Sequence, residues 1–352
     1  METFGYFLTV VCISILHSSG IVTPAATPFN KHKLAIKYPK RGNGLRRSFS
    51  KDSVKYFLYQ NASNPENSTV LRIGDVGSLT SYNPSIPLTM IIHGFKQNYT
   101  DKHPQALKNG MFVVLIALLK KDKLSNIVVI SWLGISLPFK NLHSGIPLST
   151  REASKNIQRI SKHIVEFISY LRNETKLNNA ADVHIIGYGL GAQIAGVVGF
   201  RVKQSTGESI GRITGLDPSG PQHTYTALSE KLDKTDGNFV DVIHTANGPF
   251  GLAGSIGHVD YYPNGGGPTQ PNCILPTDPI RDLPGFPGSC SSALSWDYYI
   301  RSVMEDNVKA CEAKSFLSFK LGNICQNQIT FGHRVSQSAR GDYFLSIRSQ
   351  ES

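Results

Sequence analysis

The feature that most constrains the fold is the segment from Asp182 to Gly196, with the sequence DVHIIGYGLGAQIAG. Its first half is a short apolar run typical of a buried strand, and its second half begins a helix. Between them lies the turn GYGLG, which spans Gly187 to Gly191. The outer glycines allow a strand and a helix to approach closely at a sharp bend. This succession predicts an α/β protein with a buried strand that leads into a tight turn.

The turn has the frame of a nucleophile elbow, G-x-S-x-G, whose central serine is held exposed at the end of a strand. In this chain Gly189 occupies the apex and carries no hydroxyl. That position decides whether the protein is an esterase or keeps only the shell of one.

Short apolar strands alternate with helices along the chain. The clearest helix covers 151–173, where Ile157, Ile160, Ile164, Ile168 and Leu171 recur at helical spacing. This alternation predicts a single domain with a mostly parallel central sheet flanked by helices. The region 248–288 is rich in Gly and Pro and predicts loops. The predicted strands are 54–59, 88–93, 126–131, 183–186, 212–216 and 239–244, and the other predicted helices are 105–121 and 190–203.

The N-terminus predicts secretion. An apolar run of twelve residues, Gly5 to Leu16, is followed by small residues, as in a signal peptide over 1–20; a buried strand is the alternative. We then expect a basic arm over 21–50, the folded domain over 51–335 and a C-terminal tail over 336–352. Of the net charge of +11, eight positive charges lie between Lys31 and Lys51, where there is no acidic residue. The arm is either a solvated leader or a contact for anionic membrane surfaces or sulfated glycans, and no nucleic-acid motif is present.

Sequons and cysteines agree with secretion. The sequons begin at Asn61, Asn67, Asn98 and Asn173. Past the predicted signal there are four cysteines, which suggest two disulfides. Three pairings are possible, and the simplest joins Cys273 to Cys290 and Cys311 to Cys325. The spacing does not resemble a zinc site, so we expect no metal and no cofactor.

Five motifs occur together in one order and resemble the neutral lipase family, which includes pancreatic-type lipases, insect lipase-like phospholipases and insect yolk proteins. The resemblance covers about residues 50 to 335 and implies an α/β-hydrolase fold with a triad in the order Ser, Asp, His. The resemblance predicts no C-terminal β-sandwich within the sequence, which ends at Ser352. In this respect the chain is more similar to the insect-type single-domain members than to pancreatic lipases. The motifs are IIHGF at 91–95, the elbow at 187–191, TGLDPSGP at 214–221, VIHT at 242–245 and GHVDYYPNGG at 257–266.

The resemblance also implies a role for each triad position. Asp217 stands at the position of the acid, whereas Gly189 stands at that of the nucleophile. Ser292 stands where the family has the histidine of a C-x-H-x-R pattern, so two of the three members are absent. The oxyanion donors implied by the family are the backbone N–H groups of Phe95 and Leu190.

No other residue is an evident replacement. We expect Tyr188 to point away from the apex and His223 to lie on the surface, and Ser219 lacks an obvious base. The remaining candidates, His93, His244 and His258, match positions that are structural in the family.

The segment between Cys273 and Cys290 corresponds to the family's lid. Its apolar residues either meet lipid or pack as a surface loop. The first hypothesis is therefore a secreted, inactive lipase-like protein that carries lipid or lipid-like ligands, or has a yolk-like or secretory-fluid role. The others are an active lipase or phospholipase with a degenerate site, and a structural or storage protein.

Overall fold

The computed structural model describes residues 54–60, 67–94, 109–121, 125–132, 150–220, 223–248, 250–273, 288–322, 325 and 327–348. These residues belong to one unit, Phe49–Ser352. The strands are β1 (Lys55–Tyr59), β2 (Thr69–Leu71), β3 (Leu88–Ile92), β4 (Asn126–Ser131), β5 (Val183–Tyr188), β6 (Ile210–Leu216), β7 (Gly237–Ile243), β8 (Val259–Pro263), β9 (Lys309–Glu312), β10 (Gln328–Thr330) and β11 (Gly341–Leu345). The helices are α1 (Asn109–Lys121), α2 (Thr150–Asn173), α3 (Leu190–Thr206), α4 (Ser289–Met304) and α5 (Phe316–Gly322).

The described strands form one sheet in the order β10-β9-β11-β8-β7-β6-β5-β3-β4-β1-β2. The run from β11 to β4 is parallel throughout, and antiparallel pairs occur only towards the two ends among the described strands. Helices α2 and α3 cover one face, and α1 and α4 cover the other. Because both faces are covered, the central strands are buried almost throughout, as in β4, where every residue is buried.

The chain order reverses between β3 and β5, and a ligand crevice is expected at this reversal. The chain passes from β3 outward to β4 and then returns to form β5 on the other side of β3. In open α/β sheets, ligands bind outside the carboxyl ends of the strands at such a switch point. Gly94 follows β3 and Gly189 follows β5, so both lie at this crevice.

Most predicted elements are present, with small shifts of their ends. The apolar residues that predicted helix 151–173 are all buried against the sheet. The prediction of helix 105–121 is described from Asn109, because 105–108 lie outside the described residues.

Two predictions for the C-terminal part were wrong. Residues 248–288 contain β8, a buried strand that glycines flank on both sides, so it is not loop throughout. The segment 336–352 is not simply a tail, because β11 lies within the sheet between β8 and β9. Its Tyr343, Phe344 and Leu345 are buried, and their apolar surface is what joins this segment to the domain.

Among the helices in the described part of the chain, none combines the length and the apolar character that a membrane span requires.

Candidate functional site

The elbow forms a sharp strand-to-helix bend between β5 and α3. Gly189 has φ +54° and ψ −114°, a backbone conformation that side-chain-bearing residues rarely adopt. The bend is fixed because Gly189 N–H donates to Leu216 O at 2.9 Å. A side chain at Gly187 would collide with the backbone of Gly191, and one at Gly191 would collide with that of Ile92. The flanking glycines are therefore required by close approach, as the sequence predicts.

The apex itself has room for a side chain. A Cβ on Gly189 would meet only Ser219 Oγ, at 3.5 Å, which is ordinary van der Waals contact. Ser219 is half-buried, and its backbone N–H donates to Gly189 O at 3.1 Å. The apex is therefore limited by its backbone conformation and not by space.

Asp217 follows β6 and is completely buried. Its Oδ1 accepts hydrogen bonds from Thr245 N–H at 3.0 Å and from Ala246 N–H at 2.9 Å. Burial raises the pKa of Asp217, and the nearby Ser292 hydroxyl and these two amides partly oppose that rise. The carboxylate thus holds the loop after β7, whatever its role in a triad.

Ser292 lies in the first turn of α4 and is completely buried. Its hydroxyl shares a hydrogen bond of 3.1 Å with the Tyr188 hydroxyl. The same hydroxyl is close enough to lower the pKa of Asp217. The structure therefore brings Ser292, Tyr188 and Asp217 together, although the sequence analysis expected Tyr188 to point elsewhere.

The Tyr188 ring fills the space between the elbow and α4. It packs 4.5 Å from the Trp296 ring, and a Cβ on Gly94 would lie 2.7 Å from its Cδ1. Burial raises the pKa of Tyr188 well above its usual value, and the Asp217 charge raises it further. The phenol therefore stays protonated at neutral pH and does not act as a base. In the sequence, the only indication that Tyr188 packs between the elbow and α4 is its position next to the apex residue.

The structure describes one of the two predicted oxyanion donors. Leu190 is the first residue of α3, and the N–H groups of the first turn have no intrahelical acceptor. Its amide is therefore available at the apex, where the helix N-terminus favours negative charge. Phe95 lies outside the described residues.

His93, His244 and His258 each have partners within the fold. His93 Nδ1–H donates to Gly94 O at 2.7 Å, its ring stacks on Trp132, and burial lowers its pKa to about 4. His244 Nε2–H donates to the buried Asp260 at 2.8 Å, and His258 Nδ1 accepts from Val240 N–H at 3.0 Å. These contacts fit structural roles.

His223 is not a surface residue, and the expectation that it is was wrong. It is 1% exposed, and neither ring nitrogen has a hydrogen-bond partner among the described residues. Burial is the main cause that lowers its pKa to about 4. Its neighbours are polar, so nothing in the local sequence predicts this burial.

The structure contains two disulfides, Cys273–Cys290 and Cys311–Cys325, which is the simplest of the three pairings. The first joins the chain after β8 to the first turn of α4, near Ser292. Residues 274–287, most of the predicted lid, lie outside the described residues.

Of the sequon asparagines, Asn67 and Asn173 are exposed, whereas Asn61 and Asn98 lie outside the described residues. Within the described ranges, no three His, Cys, Asp or Glu side chains are arranged to hold a metal ion.

The parallel sheet with helices on both faces and a strand–elbow–helix at its switch point defines an α/β-hydrolase fold. The family model described as Lipase matches residues 21–352, and the chain therefore belongs to the lipase family.

Three relatives illustrate the match. The chain is 33% identical over 280 residues to pancreatic triacylglycerol lipase of Cavia porcellus, which covers 74% of this chain and 54% of the relative. It is 28% identical to hepatic triacylglycerol lipase of Oryctolagus cuniculus over 75% of this chain and 48% of the relative. It is 33% identical to phospholipase A1 member A of Mus musculus over 73% of this chain and 49% of the relative. The chain thus spans about half the length of the curated relatives it matches.

Proposed function

We propose that this lipase-family protein no longer hydrolyses esters and binds a lipid-like ligand in the crevice beside the elbow. The observation that carries the proposal is the pair of hydroxyls, Tyr188 and Ser292, that lies beside Asp217 while the apex is Gly189. Acyl transfer needs a nucleophile at the apex and a base between it and the acid. A neutral serine and a phenol of raised pKa supply no such base.

The ligand class follows from what the site retains. The Leu190 amide at the start of α3 suits a carbonyl or carboxylate oxygen. Relatives named as triacylglycerol lipases and a phospholipase A1 support a ligand with acyl chains. The ligand we propose is therefore a fatty acid, a lysolipid or an intact acyl lipid.

A fluorophosphonate probe and an ester substrate test the loss of activity. We expect no labelling of any serine and hydrolysis at background, because Gly189 offers no hydroxyl. Stoichiometric labelling, or turnover above about 1 per second, a normal enzymatic rate, would contradict the proposal.

Lipid extraction and mass spectrometry of the purified protein test the proposed ligand and should recover acyl lipid. A protein that copurifies with no lipid and binds none would instead be structural or storage material.

A second candidate is an ester hydrolase with a displaced nucleophile. Ser219 Oγ lies 3.5 Å from the point where a nucleophile's Cβ would stand, and Ser219 is half-buried. Probe labelling that Ser219→Ala abolishes would establish this candidate. Labelling that persists in Ser219→Ala would exclude Ser219.

We also propose secretion, with cleavage after the predicted signal, N-glycosylation at the sequons, and a yolk-like or secretory-fluid role. Two disulfides support an oxidising compartment. Expression in a secreting cell tests this: mature protein should enter the medium, begin near residue 21 and lose mass on treatment with a glycosidase.

A further inference from the structure

Helix α5 presents two leucine side chains to solvent. Leu317 is 65% exposed and Leu321 is 75% exposed. Residues four apart lie on the same face of a helix, so the two leucines form one apolar patch, which we call the α5 face.

The opposite side of α5 is firmly packed. The Phe316 and Phe319 rings lie 6.4 Å and 6.5 Å from the Phe344 ring of β11. The Cys311–Cys325 disulfide closes the segment that contains the helix. The aromatic side therefore holds α5 in place, and the two leucines are not needed for that packing.

Helix α5 packs at the same edge of the sheet as the elbow. Phe316 contacts Gly265, which follows β8, since a Cβ on Gly265 would be 2.8 Å from Phe316 Cδ1. Lys320 Nζ donates at 3.0 Å to Ser346 Oγ, which follows β11. Because β8 and β11 run parallel to β5 and β6, these contacts lie at the carboxyl edge, where Gly189 and Asp217 also lie.

Exposed basic side chains lie on and beside α5, and Glu312, at the end of β9, is the nearest acidic residue before the helix in sequence. Lys314 and Lys320 are exposed on α5 and the turn before it, and Arg348 is exposed two residues after Ser346. The sequence from Ala313 to Asn327 contains no acidic residue. Exposed leucines on a helix bordered by cations are typical of helices that lie in the surface of an anionic membrane.

The size and charge of the α5 face favour lipid over protein as its partner. A seven-residue helix is about 10 Å long, and a stable protein interface buries roughly 800 Å² on each partner. Two leucines supply a small part of that area. A second copy of the chain would also bring lysine against lysine, whereas leucine insertion into lipid requires no complementary surface.

We propose that the α5 face docks this protein on an anionic lipid surface and brings the carboxyl ends of β8 and β11, which α5 contacts, close to the lipid. The benefit of this placement, access of acyl ligands to the crevice, rests on the proposed function, whereas the docking itself does not.

Sedimentation of the full-length chain with phosphatidylcholine vesicles, with and without phosphatidylserine, tests the docking. Leu317→Ser/Leu321→Ser should weaken the partition onto vesicles about tenfold or more. Lys314→Gln/Lys320→Gln should weaken binding to the phosphatidylserine vesicles and reduce its dependence on salt. The matched control is Ile73→Ser/Val76→Ser, since these aliphatic residues are 45% and 55% exposed near β2, at the far end of the sheet. The control should bind vesicles as the unmodified protein does, because its substitutions lie far from α5. The N-terminal basic arm is the same in all variants, so differences between them report on the substituted residues.

A Leu321→Trp variant gives a second measurement that does not depend on loss of binding. Its fluorescence should shift to shorter wavelength when vesicles are added, because the new side chain enters an apolar medium.

Three results would overturn the proposal. They are unchanged vesicle binding by the leucine variant, an equal loss in the Ile73/Val76 control, and a dimer that the leucine variant converts to monomer without affecting vesicle binding. Binding of a monomeric fluorescent fatty acid without vesicles reports on the crevice separately. Failure of that assay would remove the proposed ligand function and leave the docking result intact.

Discussion

Building a Ser–His–Asp triad at the predicted positions is the sharpest test of the site assignments. Gly189→Ser places a hydroxyl at the apex, where a Cβ meets nothing closer than Ser219 Oγ at 3.5 Å. The substitution therefore costs no collision and only backbone strain, since φ is +54°. A side-chain-bearing residue in such a conformation loses roughly 1–3 kcal/mol of folding free energy. Chemical denaturation should show this loss; a Gly189→Ser protein as stable as the unmodified one would refute the strain argument.

Gly207→Ser is a matched control for the backbone term. Gly207 also has positive φ, +76°, with nothing within 4 Å of an added Cβ, and it ends α3 far from the elbow apex. Gly207→Ser should lower the free energy of unfolding by about 1 kcal/mol and leave ester hydrolysis at the level of the unmodified protein.

A base must accompany the serine. Ser292→His puts an imidazole beside Asp217, but the Tyr188 hydroxyl is only 3.1 Å from the Ser292 hydroxyl, and the larger ring extends beyond that point. We therefore expect the Gly189→Ser/Ser292→His variant to hydrolyse esters more slowly than the triple variant that also carries Tyr188→Phe. The Tyr188→Phe substitution removes the obstructing oxygen. A positioned base contributes roughly 10²–10⁴-fold, so the triple variant should exceed Gly189→Ser by about a hundredfold.

Hydrolysis of a short-chain chromogenic ester and fluorophosphonate labelling measure this series. Neither Gly189→Ser nor Ser292→His alone should hydrolyse the ester above background, because the nucleophile and the base work as a unit. Activity in Gly189→Ser alone would show that another base is present and that Ser292 does not stand in the histidine position. A folded, inactive triple variant would show that the oxyanion geometry is also lost.

The remaining predictions concern stability. His223→Leu should reduce acid sensitivity: with a folded pKa of about 4 against about 6.5 unfolded, His223 contributes stability that is present above pH ~6.5 and lost as the pH falls towards 4, by up to ~3 kcal/mol, and equal pH profiles for both proteins would contradict this. Asp217→Ala should lower the unfolding free energy at pH 7 by about 2 kcal/mol or more, because two buried amides lose their acceptor. Asp217→Asn should not lower it, and because burial raises the carboxyl pKa, its advantage over the unmodified protein should grow as the pH rises above ~4. Peptide mapping without reduction should recover Cys273–Cys290, and replacing both cysteines by serine should cost roughly 3 kcal/mol; a Cys290–Cys311 crosslink would refute the pairing.

The elbow and the central strands were predictable because their residues leave little choice. Apolar β-branched runs such as the strand before Gly187 fit a sheet covered on both faces. The flanking glycines of the turn are required because the neighbouring backbone lies too close to admit a Cβ. The order of motifs in a recognised family singled out Asp217 and Ser292, and the structure places the Ser292 hydroxyl next to Asp217; their assignment to triad positions stays a prediction.

The errors have a common physical origin in tertiary contacts that local sequence does not encode. Strand β8 is short and contains Asp260, whose buried carboxyl group accepts hydrogen bonds from His244 and two backbone amides. His223 is buried by packing that its polar neighbours do not indicate. The Tyr188–Ser292 hydrogen bond spans 104 positions in sequence and depends on where α4 crosses the elbow.

The presence of Asp217 is weak evidence for catalysis in this chain. Its Oδ1 holds two buried amides of the loop after β7, so the fold has its own use for the carboxylate. Asp217 also has a positive φ, +42°, and its Oδ2 has no hydrogen-bond partner among the described residues, so its two amide contacts are what offset these costs. A side chain at Gly189 would be strained without any such contacts, and only catalysis would justify one. A site without catalytic use would be expected to keep the residue that stabilises the fold and to lose the residue that strains it. Asp217 and Gly189 match that expectation, which supports the proposal that binding has replaced hydrolysis in this lipase-family protein.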